Sequence, residues 1–368
     1  MKPSERYRAT YAFKPVDHLV RTECFLWRET IARWKEEGLA DDYNEKNLFN
    51  FDPGGTTDAG LNLGWCEPPF EPPYEWKLIK EEGDTQIIRD WAGRWVRGFK
   101  HGRDGFMPQY LKHPVTCTKD WEQEVAPRLD PANPKRYEGL AEKCRRAAEA
   151  QHTDGMMVRQ AMIGGYMYLR ALMGPEDLLY ALHDQAGLIH AMMGRWAELM
   201  NAALERIQPS VELDELAIAD DICYNHGPLI SPDMFKEFLL PYYQEVVGKA
   251  RSRQTRHIYL FVDSDGWVGP VIPLYRAVGM EVMVPFEVAS GCDVVEIGRQ
   301  YPDLVMSGGI DKRVLAAGKQ AIDKHLEYVI PAMVKRGGYI PTCDHGVPDN
   351  VSFESYLHYR KRICELDH

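Results

Sequence analysis

The chain has no C-x-x-C pair. Its eight cysteines, Cys24, Cys66, Cys117, Cys144, Cys223, Cys292, Cys343 and Cys364, are scattered, which argues against a zinc ribbon, a thioredoxin-type redox motif and a disulfide framework. No G-x-G-x-x-G follows an apolar run and there is no P-loop, so the usual dinucleotide and nucleotide cradles are missing. No segment approaches the roughly 20 apolar residues that span a bilayer. The opening residues, MKPSERYRATYAFKPVDHLV, hold no apolar core of signal-peptide length, and a soluble cytoplasmic protein is expected. Positive charge is also short: 44 Lys and Arg stand against 55 Asp and Glu, a formal net charge of −11. With the cations dispersed, no basic face for phosphate backbones is expected, and nucleic acid is an unsuitable partner. What is present is enough apolar residue for a large core, 45% of 368.

The rhythm of the chain divides it near residue 150. Before that point, CFLWRETIARWKEEGLADDY carries Phe25, Leu26, Ile31 and Trp34 at helical spacing, with Gly38 as the stop. The tract FDPGGTTDAGLNLGWCEPPFEPPYEW reads as loop. The stretch from Trp76 to Leu111 alternates apolar and polar residues with turn signals at Gly83-Asp84, Ala92-Gly93 and Gly102 to Gly105, which predicts a small antiparallel meander. From about residue 153, short apolar runs alternate with long helical patterns. GMMVRQAMIGG, ELAIADD, RHIYLFVDSDG, EVMVPFE, LVMSGGID and GYIPTCDHG read as strands, and Ser231 is placed to cap the helix after SP. The predicted fold is α/β, a (β/α)8 TIM barrel over 151–368 with an N-terminal helical and antiparallel β elaboration over 1–150.

In such a barrel the C-terminal ends of the strands form one cup. Here they end in Asp220-Asp221, Asp263-x-Asp265, Glu287, Asp311 and Cys343-Asp344-His345. A carboxylate at a single strand end is ordinarily a helix cap, and Asp311 suits that role best. Five or more facing one cavity would titrate as a coupled set unless a cation neutralised them. A divalent metal is the simplest such cation, and a thiolate with carboxylate or imidazole partners suits zinc. Strand alternation would bring Asp263 with Asp265, and Cys343 with His345, to the same face, with Asp344 turned away. The loop CYNHG adds Tyr224, Asn225 and His226, the last a possible general acid or base. GGYMYLRALMG adds Tyr166 in a Met-rich setting that would be core or, at a barrel mouth, suit a flat guest.

The stretches NHGPLISPDMFKEFLLPYY, FVDSDGWVGPVIPLYRAVG, PFEVASGCDVVEIGRQYPDLVMSGGIDKRVLAAGK and GGYIPTCDHGVPDNVSFESYLHYRKRI resemble the uroporphyrinogen decarboxylase superfamily over most of residues 20 to 365. That resemblance implies a (β/α)8 barrel and either a decarboxylase or a methyltransferase that works with corrinoid proteins. The decarboxylases carry an N-terminal Arg-Gln-Ala-Gly-Arg that pairs a polycarboxylated substrate, whereas LVRTECFLWRETIARW lacks it. Zinc-dependent methyltransferases of the superfamily carry His-x-Cys-Gly and a later Cys. Aligning Gly266 with that Gly puts Asp263 and Asp265 in the first two ligand positions and Cys343 near the third, a harder donor set suited to an oxygen ligand. The resemblance therefore implies transfer of a methyl group from a small phenyl methyl ether. The acceptor would be the cobalamin cobalt of a partner corrinoid protein docked at the barrel mouth. In that reading zinc would be held by Asp263, Asp265 and Cys343. Asp221, His226, Glu287 and His345 would serve as catalytic groups, and Tyr166, Tyr224 and Asn225 would hold the substrate. The chain lacks the Asp-x-His-x-x-Gly that would let it carry the corrinoid itself: Asp323 and His325 are not followed by the glycine.

Overall fold

The computed structural model describes residues 1–101 and 108–368, so the turn expected at Gly102 to Gly105 lies outside the described residues. A three-residue strand, β1 (Thr56–Asp58), precedes an antiparallel meander of β2 (Lys77–Glu82), β3 (Thr85–Arg89), β4 (Trp95–Phe99) and β5 (Gln109–Lys112). The predicted meander is therefore present. The barrel strands follow as β6 (Met157–Ile163), β7 (Glu215–Ala219), β10 (Tyr259–Asp263), β11 (Met280–Val284), β12 (Val305–Ser307) and β13 (Tyr339–Ile340). A short hairpin, β8 (Cys223–Tyr224) with β9 (Gly227–Pro228), is inserted after β7. All the runs read as strands from residue 153 onward are strands, while β1, hidden in a tract that reads as loop, and the β8–β9 hairpin, in the CYNHG loop, are additions.

Seven strands pair in series and in parallel, in the order β1-β6-β7-β10-β11-β12-β13, as βα connections dictate. This is a curled parallel sheet of TIM-barrel type. Between its two edges runs the segment 20–26. The Asp52 N–H donates to the Arg21 carbonyl at 2.7 Å on the β1 side, and on the β13 side the Val347 N–H donates to the Phe25 carbonyl at 2.9 Å beside a Leu26–Val347 bridge. Register fixes which side chains face inward. Arg159, Glu215 and Tyr259 lie abreast, as do Ile163, Ala219, Asp263 and Val284 two steps further on. Met157, Val282, Val305 and Ile340 fill the lower lumen together with Tyr11 and Val20. Asp263 is thus the last inward residue of its strand, at the rim of a packed interior.

The helix expected from residue 24 begins only at Arg28 and runs Arg28–Glu36. Phe25 and Leu26 share its apolar spacing but are extended, because their main chain is engaged by Val347. The helix itself is anchored by Trp34, fully buried, whose indole N–H donates to the Val351 carbonyl at 2.8 Å and whose ring lies 4.7 Å from that of Tyr356 on the C-terminal helix Phe353–Leu366. Truncating it to Ala would cost about 3–5 kcal/mol and loosen the segment in front of it. Ser231 caps Pro232–Phe238 as predicted, accepting from the Met234 N–H at 3.2 Å.

Candidate active site

The polar residues at the strand ends separate into braces and exposed groups. Asp220, fully buried, accepts from the phenols of Tyr243 and Tyr275 and from the Met167 N–H. It also packs so tightly on Gly164 that a Cβ there would lie 2.4 Å from its carboxyl carbon. Burial pushes its carboxyl up to about 6, against the phenol hydrogen bonds. It fixes the end of β7, so that Asp221 is the residue turned to the mouth. Asp311 caps the helix Lys312–Ala316 through the Arg313 N–H at 2.8 Å, the capping role its position suggests. Asp344 is likewise buried and accepts from the Val288 and Lys312 N–H groups at 2.9 and 3.0 Å.

Cys343 does not share a face with His345. Its side chain is fully buried, its N–H donates to the Glu23 carboxylate at 2.7 Å, and its Sγ lies 3.9 Å from Asp344. Burial, with Glu23 and Asp344 alongside, pushes the thiol well above its ordinary value, the reverse of what a metal-binding thiolate needs. Alternation fails here because the pairing of this strand with its neighbour stops at the Ile310–Cys343 bridge and the chain bends over 344–346, before the side chain of His345 is set. Among the described residues no three His, Cys, Asp or Glu side chains are grouped to hold a metal ion. The set of Asp263, Asp265 and Cys343 does not fit zinc.

The groups that do meet at the mouth are Asp221, Asp263, Asp265, Glu287, His345 and one that the sequence pattern did not single out, Lys312. Lys312 Nζ lies 3.0 Å from Glu287 Oε1, and the other carboxylate oxygen of Glu287 accepts from the Gly266 N–H at 3.0 Å. Burial alone would raise Glu287, but the ammonium more than offsets it and holds this carboxylate below its ordinary value. Asp221 is met by Arg170 at 3.5 Å and by the Asp265 N–H at 3.4 Å. Among the described residues, Asp263 and Asp265 have no Lys or Arg in hydrogen-bond contact. Burial, then Asp221, pushes Asp263 up to about 7; burial, then Asp221, Glu287 and Asp263, pushes Asp265 up to about 8 despite Lys312.

His345 Nε2 lies 3.5 Å from Asp265 Oδ2. The distance is that of an ion pair, yet burial and the Lys312 charge lower the imidazole while the crowded carboxylates raise the acid. The pair is therefore neutral near pH 7, with the proton on Asp265. The His345 ring packs edge-on against Phe25 at 5.1 Å and stacks with Trp27 at 6.1 Å, contacts from a segment the sequence had placed in a helix.

Tyr224, Asn225 and His226 are all exposed on the β8–β9 hairpin. The Tyr224 carbonyl accepts from the Trp267 N–H at 2.9 Å, which seats the hairpin beside the loop carrying Asp265; His226 packs edge-on against the Tyr224 ring at 5.7 Å. Tyr166 is buried, only 1% exposed, so it is part of the wall rather than an open contact. A cleft of about 650 Å³ lies alongside, lined by Trp65, Glu67, Phe70, Trp91 and the inward-facing Ala161, a size that suits a small organic ligand. Cys66, between Trp65 and Glu67, is raised to about 11 by burial and then by Glu67, Asp221 and Asp263, which places the acids within electrostatic reach of the cleft.

The sequence profile of the family described as uroporphyrinogen decarboxylase (URO-D) matches residues 101–363. A uroporphyrinogen decarboxylase of Alcanivorax borkumensis is 26% identical over 195 residues, half of this chain and half of that one, and one of Geobacter metallireducens is 26% identical over 141 residues, 38% and 39% of the two. The chain thus spans about half the length or less of these curated relatives. A methyltransferase from Methanosarcina mazei superposes over 99% of both chains with a TM-score of 0.57 at 14% identity, a likeness of fold. With the parallel sheet, the strand-end cup and the profile in agreement, the chain belongs to the uroporphyrinogen decarboxylase family.

Proposed function

We propose that the chain transfers a methyl group from the ether oxygen of a small methoxylated aromatic to the cobalt of a corrinoid held by a partner protein at the barrel mouth. The reading is carried by one observation: Asp265 stands one-third exposed at the mouth, 3.5 Å from His345 Nε2, where burial and the neighbouring Asp221, Glu287 and Asp263 favour its protonated form. The partner's corrinoid would supply the nucleophile that accepts the methyl group. Asp265 donates its proton to the ether oxygen as the C–O bond breaks, so the electron pair of that bond leaves on a neutral phenol rather than a phenolate. Stabilisation of this kind grows along the reaction and so speeds it. Asp265 is then a carboxylate among carboxylates and recovers a proton from solvent through His345 Nε2. Glu287, tied to Lys312 and the Gly266 N–H, keeps the loop of Asp265 in place. The exposed Tyr224, Asn225 and His226 stand where the partner would meet the rim.

Decarboxylation is the second reading, favoured by the family and by the names of the curated relatives. A neutral acid would also protonate the carbanion left by loss of CO2. Against a heavily carboxylated substrate stands the pairing of the cup's cations: Arg170 with Asp221, Lys312 with Glu287 and Arg159 with Glu215. The deciding experiment incubates the purified chain with methoxylated aromatics, methanol and methylamines and follows methylation of free Co(I) cobalamin spectrally, with uroporphyrinogen consumption assayed in parallel. Methylcobalamin formed from an aryl ether supports the proposal; uroporphyrinogen consumption without it overturns the proposal in favour of the second reading.

A further inference from the structure

The segment in front of the first barrel-side helix has no role in the proton chemistry, yet it lies along the acids. Cys24 is exposed and its thiol is raised first by burial and then by Glu23, Asp263 and Asp265, which places residue 24 within the field of the cup. Phe25 follows, 38% exposed, with its ring at 4.7 Å from Trp27 and 5.1 Å from His345, edge-on to both. An aromatic ring left part-open beside the imidazole that touches the acid is unlike the buried rings of this protein, such as Trp34 and Phe49, both fully covered.

The wall is also held rigidly. Glu23, its side chain 3% exposed, accepts from the N–H groups of Cys343 and Cys24 and from the Tyr356 phenol. The Val347 N–H donates to the Phe25 carbonyl, and the Thr30 hydroxyl donates to the Val347 carbonyl at 2.7 Å. Gly346 is small by necessity: a Cβ there would lie 2.1 Å from the Phe25 ring and 2.7 Å from the Trp27 indole nitrogen. The loop carrying His345 and the aromatic segment are therefore interlocked and move as one piece. A simple filler role would bury Phe25 further against Gly346 and would leave no open ring surface at the mouth.

We infer that Phe25, backed by Trp27, is the platform for the aromatic ring of the substrate, setting the substituent oxygen toward Asp265. The inference rests on the methyl-transfer reading for the identity of that substituent but not for the ring. It makes Phe25 a specificity-determining residue: aryl donors are held, while methanol and methylamines gain nothing from it.

The test measures binding of guaiacol to the full chain by titration calorimetry, and then KM and kcat, for wild type, Phe25→Ala, Phe25→Tyr and the remote control Trp76→Ala, which alters an exposed residue of the meander region. Loss of the ring contact is expected to weaken guaiacol binding and raise its KM by roughly fivefold to tenfold. The kcat and its pH profile should hold, the Tyr variant should restore binding, and the Trp76 variant should match wild type. Guaiacol binding unchanged in Phe25→Ala, or equally weakened in Phe25→Tyr and Trp76→Ala, overturns the platform. If guaiacol binds through Phe25 but no methyl reaches cobalt, the platform stands and the methyl-transfer reading falls.

Discussion

Replacing Asp263 with Asn should make the protein more stable in mild alkali, and the size of the effect follows from where the carboxyl sits. It is the last inward residue of β10, half-buried, with Asp221 as the strongest charged influence on it and, among the described residues, no cation in contact. Its carboxyl is raised from 3.8 to about 7, first by burial and then by Asp221, with Arg159 opposing. Below pH 4 both folded and unfolded chains hold this proton. Between pH 4 and 7 the unfolded chain has released it and the folded chain has not, so stability falls as pH rises, and above 7 the loss is complete. A difference of about three pH units at 1.36 kcal/mol each gives an upper figure of about 4 kcal/mol. Because the rim is open to water, about half of that is expected. Asn removes the penalty while keeping the shape. Urea unfolding at pH 4.5 and pH 8 should therefore show wild type losing about 2 kcal/mol more than Asp263→Asn across that interval. Equal losses in the two proteins would refute the picture of an uncompensated acid at the rim.

Asp265→Asn should lower turnover by about a hundredfold to ten-thousandfold, the usual worth of a general acid, while leaving the fold intact by circular dichroism. Wild-type activity should fall as pH rises through about 8, where Asp265 loses its proton; a flat profile there removes Asp265 from the chemistry. Lys312→Met takes away the charge that restrains Asp265 and depresses His345, so the alkaline limb should move to higher pH, and an unmoved limb would show that Lys312 is only structural. Cys343→Ala should leave both turnover and the zinc content of the purified protein unchanged; loss of bound zinc together with activity would restore the thiolate site. Glu23→Gln turns an amide NH2 toward donors that now meet a carboxylate, and should lower the urea midpoint by the equivalent of about 1–3 kcal/mol; no shift would mean that Glu23 does not anchor the mouth.

How far the sequence alone could reach depends on whether a feature is local. The strands from residue 153 onward are marked by their own apolar runs, and the Ser231 and Asp311 caps by the helix that follows each, so all were legible. The three residues of β1 were not, because Gly54, Gly55 and Gly60 surround a strand that takes its order from pairing with β6, about 100 residues on. Phe25 and Leu26 continue the helical spacing of Ile31 and Trp34, and only the backbone of Val347, more than 300 residues away, holds them extended. Lys312 reads as an ordinary first-turn helix residue, and the parallel pairing of β11 with β12 is what carries its ammonium to Glu287. Alternation would give Cys343 and His345 a common face, but the bend over 344–346, just past the Ile310–Cys343 bridge, breaks it between the two.

The chemistry of the cup follows from its charges taken together. Four carboxyl groups, Asp221, Asp263, Asp265 and Glu287, face the mouth, and two cations reach them directly, Arg170 and Lys312. Each cation settles on one carboxylate, Asp221 and Glu287 respectively. Among the described residues the remaining two acids have no Lys or Arg partner, and holding a proton is the cheaper state for them than adding two more negative charges to a partly desolvated site. Crowding of acids thus favours the protonated form of Asp263 and Asp265. A substrate bearing many carboxylates would have to displace Arg170 and Lys312 from their partners, stripping the compensation from Asp221 and Glu287 at the same moment. On the methyl-transfer proposal a neutral ether makes no such demand: what it asks of this site is one proton, and Asp265 is the group proposed to give it.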